Sequence, residues 1–194
     1  MMLSHSILLL GLSCAGLVTA TRSLKARQGP ATAEKFKIYA YGEGISGLPV
    51  FYADARAQLG DPALSTAKVA QAVYFTISDS SSSAWLAHPS KTGSSSNSTG
   101  GRLPFKSAVL SLPSAGSSNS ALQFHEPTAS FLASDEANGF DYYGNFVLID
   151  TENANFYAVP TDADGVYSLI LSEVGSEQTP VILRTVASAA EELF

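Results

Sequence analysis

The sequence predicts an all-β domain of antiparallel strands, and two observations support this prediction. Short runs rich in β-branched and aromatic residues recur at intervals of roughly 8 to 12 residues, separated by Gly, Ser and Asp. None of the intervening segments has the amphipathic pattern of the crossover helices that a parallel sheet needs. We therefore expect an antiparallel β-sandwich of the jelly-roll type, with a closed β-barrel as the alternative.

The clearest strand signal is the stretch from Phe146 to Leu171. It contains three β-rich runs, Phe146–Asp150, Asn155–Val159 and Val166–Leu171, separated by two acidic turns. Asp162–Gly165 suits a turn because Asp and Gly tolerate positive φ. The almost unbroken apolar character of Val166–Leu171 predicts a strand buried on both faces. Together the runs predict a three-stranded meander that needs a second layer to cover it.

The rest of the chain supplies further short strands. Their predicted bounds are Phe36–Tyr41, Leu48–Ala53, Arg56–Leu59, Val73–Ser78, Trp85–Leu86, Leu103–Leu112, Ala121–Phe124, Ser130–Leu132 and Pro180–Val186. Ala63–Ala72 is rich in Ala, and we expect it to form one or two turns of helix.

The first twenty residues are predicted to be a signal peptide. The apolar segment Ile7–Val18 is too short to span a bilayer, and Val18-Thr19-Ala20 offers small residues to a signal peptidase. Residues 21–34 are predicted to be a disordered lead-in, residues 35–188 one β domain and residues 189–194 a C-terminal tail. We expect a secreted, extracellular protein without stable membrane insertion after signal cleavage.

Two features of the sequence describe the exported chain. Its only cysteine, Cys14, lies in the predicted signal peptide, so we expect no disulfide and no cysteine metal site afterwards. The one glycosylation sequon begins at Asn97 in a serine-rich segment, where a glycan would not disturb a core. We predict a glycoprotein modified at Asn97.

Charge is distributed unevenly along the chain, although the whole carries only −6. From Thr21 to Ser107 ten Lys and Arg oppose five acids, whereas from Ala108 to Phe194 one Arg opposes twelve acids. This asymmetry indicates either an acidic face for cations or basic partners, or two halves that interleave and neutralise each other, which is the simpler interpretation. No basic stripe is interleaved with aromatic residues, so we expect no nucleic-acid partner.

Catalytic motifs are absent from the sequence. It has no G-x-S-x-G, no H-E-x-x-H and no glycine-rich phosphate loop before a helix. His88 and His125 are the two histidines outside the signal peptide; each is weighed as a triad member with a serine against the simpler role of a surface or capping residue. The catalytic residues remain unknown at this level.

The acidic cluster is the one candidate for carbohydrate chemistry. Asp150, Glu152, Asp162 and Asp164, with Asp141 nearby, lie close in sequence, and a glycosidase needs two carboxyl groups about 5 to 10 Å apart. Turn formation is the simpler interpretation of these acids. Asp162–Gly165 resembles part of a calcium loop but lacks the further ligand positions and the closing Glu, so we predict no metal site and no cofactor.

Several aromatic residues are candidates for stacking on sugar rings, although cross-strand packing is their commoner use. They are Tyr39, Tyr41, Trp85, Tyr142 and Tyr143.

Three segments carry a resemblance to a known group of proteins. Lys35–Asp61, Phe156–Leu171 and Pro180–Thr185 resemble uncharacterised small secreted proteins of filamentous fungi. The group's members carry Asp-Gly where this chain has Asp54-Ala55. The resemblance implies secretion and a fungal source, and it implies no activity.

These observations predict a non-enzymatic extracellular or cell-wall-associated protein that binds a glycan or a cell-surface partner. The alternative is a carbohydrate-active hydrolase that uses paired carboxylates.

Overall fold

The computed structural model describes residues 34–78, 83–94, 105–114, 116–173 and 178–187 of the 194-residue chain. The helices in these ranges are a 3-10 helix at Pro62–Leu64 and two single turns, α1 (Ala129–Leu132) and α2 (Asp135–Asn138). The strands are β1 (Phe36–Gly42), β2 (Ile45–Ala53), β3 (Arg56–Leu59), β4 (Ala70–Ile77), β5 (Trp85–Ser94), β6 (Ala108–Ser111), β7 (Gln123–His125), β8 (Phe140–Tyr143), β9 (Phe146–Ile149), β10 (Ala154–Pro160), β11 (Tyr167–Glu173) and β12 (Thr179–Ala187).

Ten of these strands form a closed antiparallel barrel. Around the ring they follow the order β1-β2-β4-β5-β6-β7-β3-β11-β10-β12, and β12 returns to pair with β1 from Phe36–Ala187 to Gly42–Val181. The all-β prediction is therefore confirmed in its alternative form, the barrel rather than the sandwich. The predicted strand Pro180–Val186 lies in β12, which closes the ring.

The barrel interior is filled by aliphatic and aromatic side chains from every part of the ring. Burial alternates along β1: Phe36, Ile38 and Ala40 are buried, whereas the residues between them are not. The ring of Phe36 meets the ring of Trp85 edge-on at 5.3 Å between centroids, and Trp85 stacks on Phe140 at the same distance. Trp85 is only 1% exposed, so the expectation that it stacks on a sugar is wrong.

The predicted three-stranded meander is also wrong, although its strands exist. β10 and β11 form a hairpin from Ala154–Glu173 to Pro160–Tyr167. β9 does not pair with β10; each of them pairs with β12, β10 at Thr179 and Pro180 and β9 at Arg184. Local patterns identify strands but do not reveal that two sequence neighbours both pair with the same distant strand.

The burial predicted for the third strand is confirmed. Leu169, Ile170 and Leu171 are consecutive and all buried. Leu169 belongs to the main core, whereas Ile170 packs on the other face of the sheet with Ala121 and Tyr157.

Four segments differ from their predicted structure. The segment Ser130–Leu132 is helical because the Thr128 hydroxyl accepts a hydrogen bond from the Phe131 N–H and caps α1. Instead of a helix over 63–72, one 3-10 turn precedes β4, which begins at Ala70. The strand expected over 103–112 is described only as β6, and β8 had not been predicted at all.

The turn at Asp54-Ala55 places two residues other than glycine at positive φ. Asp54 and Ala55 have φ values of 45° and 65°, as the two central residues of a type I′ turn require. The Asp54 carboxylate accepts hydrogen bonds from the N–H groups of Lys68 and Val69 at 2.8 and 2.9 Å. The hairpin geometry is thus kept, with Ala55 in a conformation that costs an L-residue about 1–2 kcal/mol.

β8 and β9 form a hairpin that is not among the ten ring strands, although its Phe140 and Val147 belong to the main core. They pair from Phe140–Ile149 to Tyr143–Phe146 around a turn in which Gly144 has φ 66°. The hairpin joins the ring where Phe146 pairs with Arg184 of β12, and the N–H of Thr185 donates to the carbonyl of Asn145 at 2.7 Å.

Several predictions concern residues outside the described ranges. These are the signal peptide, most of the lead-in before Glu34, the sequon at Asn97 and the C-terminal tail. Within the described residues, no helix has both the length and the apolar character needed to cross a bilayer.

Candidate functional site

Exposed large apolar side chains concentrate on one side of the β8–β9 hairpin. Among the described residues five are exposed, and Tyr143 (69%), Phe146 (40%) and Leu148 (46%) belong to this hairpin. A fourth, Ile182 (57%), lies on the adjoining strand β12, and only Leu64 lies elsewhere. A contiguous group of exposed apolar side chains is typical of binding surfaces, so this group is the candidate site.

The strand register explains why these side chains share one surface. Phe146 lies between its cross-strand partners Arg184 on β12 and Tyr143 on β8. Leu148 and Ile182 lie two residues farther along β9 and β12, and residues two apart point to the same side of a strand. We call this surface the hairpin face; it consists of Tyr39, Tyr41, Asp141, Tyr143, Phe146, Leu148, Ile182 and Arg184.

Arg184 lies at the centre of the hairpin face. Its guanidinium carbon is 5.0 Å from the ring centroid of Phe146 and 5.8 Å from that of Tyr41. Cation–π contacts with both rings therefore hold the side chain between the ring wall and the attached hairpin. Its Nε is buried and has no hydrogen-bond acceptor among the described residues.

Two carboxylates border the hairpin face. Asp141 and Asp150 line a cleft of about 560 Å³ together with Ser83, Asn138 and Leu148. Asp141 pairs with Leu148, and Asp150 donates its N–H to the Gly139 carbonyl at 3.1 Å, so the two acids are diagonal neighbours. Such neighbours have Cα atoms about 7–8 Å apart. The Asp141 carboxylate also accepts the N–H of Tyr142 at 2.7 Å, which fixes its position.

The structure separates the predicted acidic cluster. Asp150 and Glu152 precede β10, whereas Asp162 and Asp164 follow it. β10 has seven residues, so the two pairs lie roughly 20 Å apart. That is too far for one carboxylate of each pair to share a glycosidic bond.

The turn that contains Asp162 and Asp164 is closed by its own hydrogen bonds. The Val166 carbonyl accepts a hydrogen bond from the Thr161 N–H at 3.0 Å, and the Thr161 hydroxyl accepts one from the Ala163 N–H at 3.2 Å. Asp162 and Asp164 therefore lie in a hydrogen-bonded turn. Among the described residues, no group of three or more His, Cys, Asp or Glu is arranged to hold a metal ion.

His125 lines a second cleft, of about 380 Å³, with Ser114, Ser117, Phe131 and Glu136. Its ring packs on Phe131 at 4.4 Å between centroids. The pKa of Glu136 is lowered by a hydrogen bond from its own N–H and by the hydroxyls of Ser134 and Ser114. Within the described residues no hydrogen bond joins His125 to a serine. A nucleophile that a histidine activates is not assembled here.

His88 lies on β5 and contacts residues of the neighbouring strand β4. Its Nε2 is 2.9 Å from the Thr76 hydroxyl, and its ring stacks on Tyr74 at 5.1 Å. Burial lowers the pKa of His88, a backbone hydrogen bond with Lys106 opposes this, and the charge of Lys35 adds to the lowering. The Lys35 ammonium lies 5.0 Å above the Tyr74 ring. These contacts describe a packed structural histidine.

Sequence reasoning identified part of the hairpin face. Tyr39, Tyr41 and Tyr143 were named as candidates for sugar stacking, and Asp141 and Asp150 belonged to the acidic group. Phe146 and Leu148 were missed because the run Phe-Val-Leu-Ile has no polar residue to distinguish its exposed side. One signal was available: Arg184 is the single basic residue after Lys106.

Comparison of this chain with protein-family models, with curated proteins and with solved structures finds no match.

Proposed function

We propose that the chain is a secreted, non-enzymatic protein that binds an extracellular or cell-wall glycan through the hairpin face. The observation that carries the proposal is the concentration of Tyr143, Phe146, Leu148 and Ile182 in water on adjoining strands. The signal-peptide pattern of residues 1–20 and the sequon at Asn97 support the extracellular setting.

A glycan suits the chemistry of this surface better than a purely apolar ligand. Aromatic rings offer flat apolar area for the C–H face of a sugar, and Tyr143 and Phe146 supply two of them next to each other. The carboxylates of Asp141 and Asp150 accept hydrogen bonds from hydroxyl groups, and Arg184 donates them. A few polar groups around an apolar patch are the usual composition of a small-ligand site.

The test is binding of the purified chain to a panel of polysaccharides, with Tyr143→Ala and Phe146→Ala as the variants. We expect each variant to bind about tenfold or more weakly, since aromatic anchors of binding sites contribute at least about 1.4 kcal/mol. Leu64→Ala is the matched control because Leu64 is 56% exposed and lies off the hairpin face.

Two results would contradict the proposal. One is failure of the wild-type chain to bind any glycan in the panel, and the other is a loss of binding in Leu64→Ala as large as that in Tyr143→Ala. A homodimer in sedimentation analysis that Tyr143→Ala dissociates would assign the face to a second copy of the chain instead.

The extracellular setting has its own test. Intact-mass analysis of exported protein should give a chain that begins at or beyond Thr21 and loses mass when treated with an endoglycosidase. Retention of Met1 would overturn the predicted cleavage, and an unchanged mass after treatment would remove the glycan from Asn97.

A second candidate function, glycoside hydrolysis, is favoured by one observation: Asp141 and Asp150 line the same cleft of about 560 Å³ as diagonal neighbours. Diagonal neighbours with Cα atoms about 7–8 Å apart can bring their carboxyl groups to the separation that glycosidases use. Both side chains are exposed, whereas closed active sites exclude water. Release of reducing sugar from any polysaccharide, lost in Asp141→Asn and in Asp150→Asn, would place this candidate first.

A further inference from the structure

We infer that Arg184 makes the hairpin face selective for glycans that carry carboxylates, such as polymers of uronic acids. This inference rests on the proposed glycan binding and narrows its ligand. It starts from the isolation of Arg184, the only basic residue from Ala108 to the end of the chain, among twelve acids.

The charge of Arg184 has no partner in the described structure. The contacts of its guanidinium are the rings of Phe146 and Tyr41, at 5.0 and 5.8 Å, and no described carboxylate forms an ion pair with it. Aromatic faces stabilise a cation but accept no conventional hydrogen bond from its N–H groups. The guanidinium therefore keeps its donors for another acceptor.

The Nε atom of Arg184 gives independent support. It is buried without an acceptor, an arrangement that folded proteins rarely keep without a functional reason. A carboxylate that approaches a guanidinium side-on takes one hydrogen bond from Nε and one from a terminal nitrogen. A small displacement of the Tyr41 or Phe146 ring on binding opens Nε to such a ligand and satisfies the donor.

The surroundings of Arg184 fit a sugar acid rather than a free anion. Phe146 and its neighbour Tyr143 offer ring faces beside the guanidinium, so a sugar ring stacks there while its carboxylate meets Arg184. Asp141 lies farther along the face, opposite Leu148, where its negative charge repels a carboxylate and its oxygens accept hydroxyl protons. The two charges thus orient the sugar in one direction.

The test compares two ligands of the same backbone, polygalacturonate and its fully methyl-esterified form, which masks every carboxylate. Binding of both is measured with the full chain at about 0.15 M salt, where long-range repulsion from the other acids is screened beyond about 8 Å. We expect the wild-type chain to prefer polygalacturonate by about tenfold, as a charge-assisted bidentate contact warrants. Arg184→Gln should lose this preference while still binding the ester, and Arg184→Lys should keep only part of it.

Lys68→Gln is the matched control, because it removes one exposed positive charge outside the hairpin face and should leave the preference unchanged. Equal wild-type binding of the two ligands would overturn the role of Arg184 and leave glycan binding intact. Absence of binding to either ligand and to every neutral glycan would instead overturn the proposed function. The ligand comparison uses the wild-type chain, so it decides the question even if Arg184→Gln does not fold.

Discussion

The two C-terminal hairpins, β10–β11 and β8–β9, have similar local structure and opposite environments. Each is an antiparallel pair, with a glycine of positive φ in its turn, Gly165 at 73° and Gly144 at 66°. The β10–β11 pair is part of the ring and buries Leu169 completely, whereas the β8–β9 pair buries Phe140 and Val147 on one side and leaves Leu148 46% exposed on the other. The same residue type therefore serves folding in one hairpin and is available for binding in the other.

Energetics make this difference informative. Burying a leucine side chain stabilises a protein by roughly 1.5–3 kcal/mol, and a leucine in water contributes little of this. Retaining Tyr143, Phe146 and Leu148 at the surface exposes the chain to self-association without helping it fold. The proposed ligand would cover them and so account for their presence.

The largest effect we expect comes from Leu169→Ala, compared with Leu148→Ala. Leu169 lies in the main core, so its truncation should lower the free energy of unfolding by about 2–5 kcal/mol. Leu148→Ala makes the same chemical change on the hairpin face and should cost less than about 1 kcal/mol. Urea denaturation of both variants measures this difference, and equal losses would mean that the attached hairpin is as much a part of the core as the ring.

Two hairpin turns allow opposite substitutions between Gly and Ala to be compared by their effect on the free energy of unfolding. In the β2–β3 turn Ala55 has φ 65°, so Ala55→Gly should raise the free energy of unfolding by about 1 kcal/mol. In the β8–β9 turn Gly144 has nearly the same φ, and a Cβ there would meet no atom within 4 Å, so Gly144→Ala should cost about the same amount. A stabilising Gly144→Ala, measured by thermal unfolding, would contradict the assigned turn geometry.

Acidification should lower the free energy of unfolding through His88. His88 is half-buried on the ring, and its pKa lies below the ordinary value of 6.5 because of that burial. The unfolded chain therefore binds this proton more readily, so stability should fall as pH decreases from about 6.5 to the lowered folded value. In His88→Gln the fall over this window should be smaller; an unchanged pH dependence would assign it to other groups.

The smallest effect is expected in a serine-rich loop. Ser117 is exposed, and Ser117→Ala should change the free energy of unfolding by less than about 0.5 kcal/mol. A loss comparable to that of Leu169→Ala would mean that this loop contributes to the core. Ser95→Ala carries the same expectation, although Ser95 lies outside the described residues.

Most strands could be predicted from the sequence, but few of the pairings between strands could. The alternation of apolar residues in Phe36–Tyr41 identified β1, because one side of a barrel wall faces the core and the other faces solvent. Buried residues in such a strand therefore recur with a period of two. The pairing of β12 with both β9 and β10 was not predictable, since it joins residues more than twenty positions apart. β8 was missed because its Phe-Asp-Tyr-Tyr run is short and half polar.

The candidate site was predictable only in its polar and aromatic parts. The tyrosines and acids of the hairpin face attracted attention by residue type alone. Phe146 and Leu148 were not identified as exposed because nothing in Phe-Val-Leu-Ile indicates which side meets water. The burial of Trp85 was not predictable because its contacts with Phe36 and Phe140 join distant parts of the chain.

The hydrogen bond from the Tyr142 N–H to the Asp141 carboxylate has a consequence for fibre formation. A closed ring offers no strand for another chain to extend, but the attached hairpin ends in β8, which in the described structure pairs only with β9. In a two-residue hairpin the N–H of Tyr142 points away from β9, toward that open side, and the Asp141 carboxylate occupies it at 2.7 Å. With four residues and a fixed negative charge, β8 is a poor template for cross-β growth. The protein can therefore keep apolar side chains in water at high concentration without polymerising through its backbone.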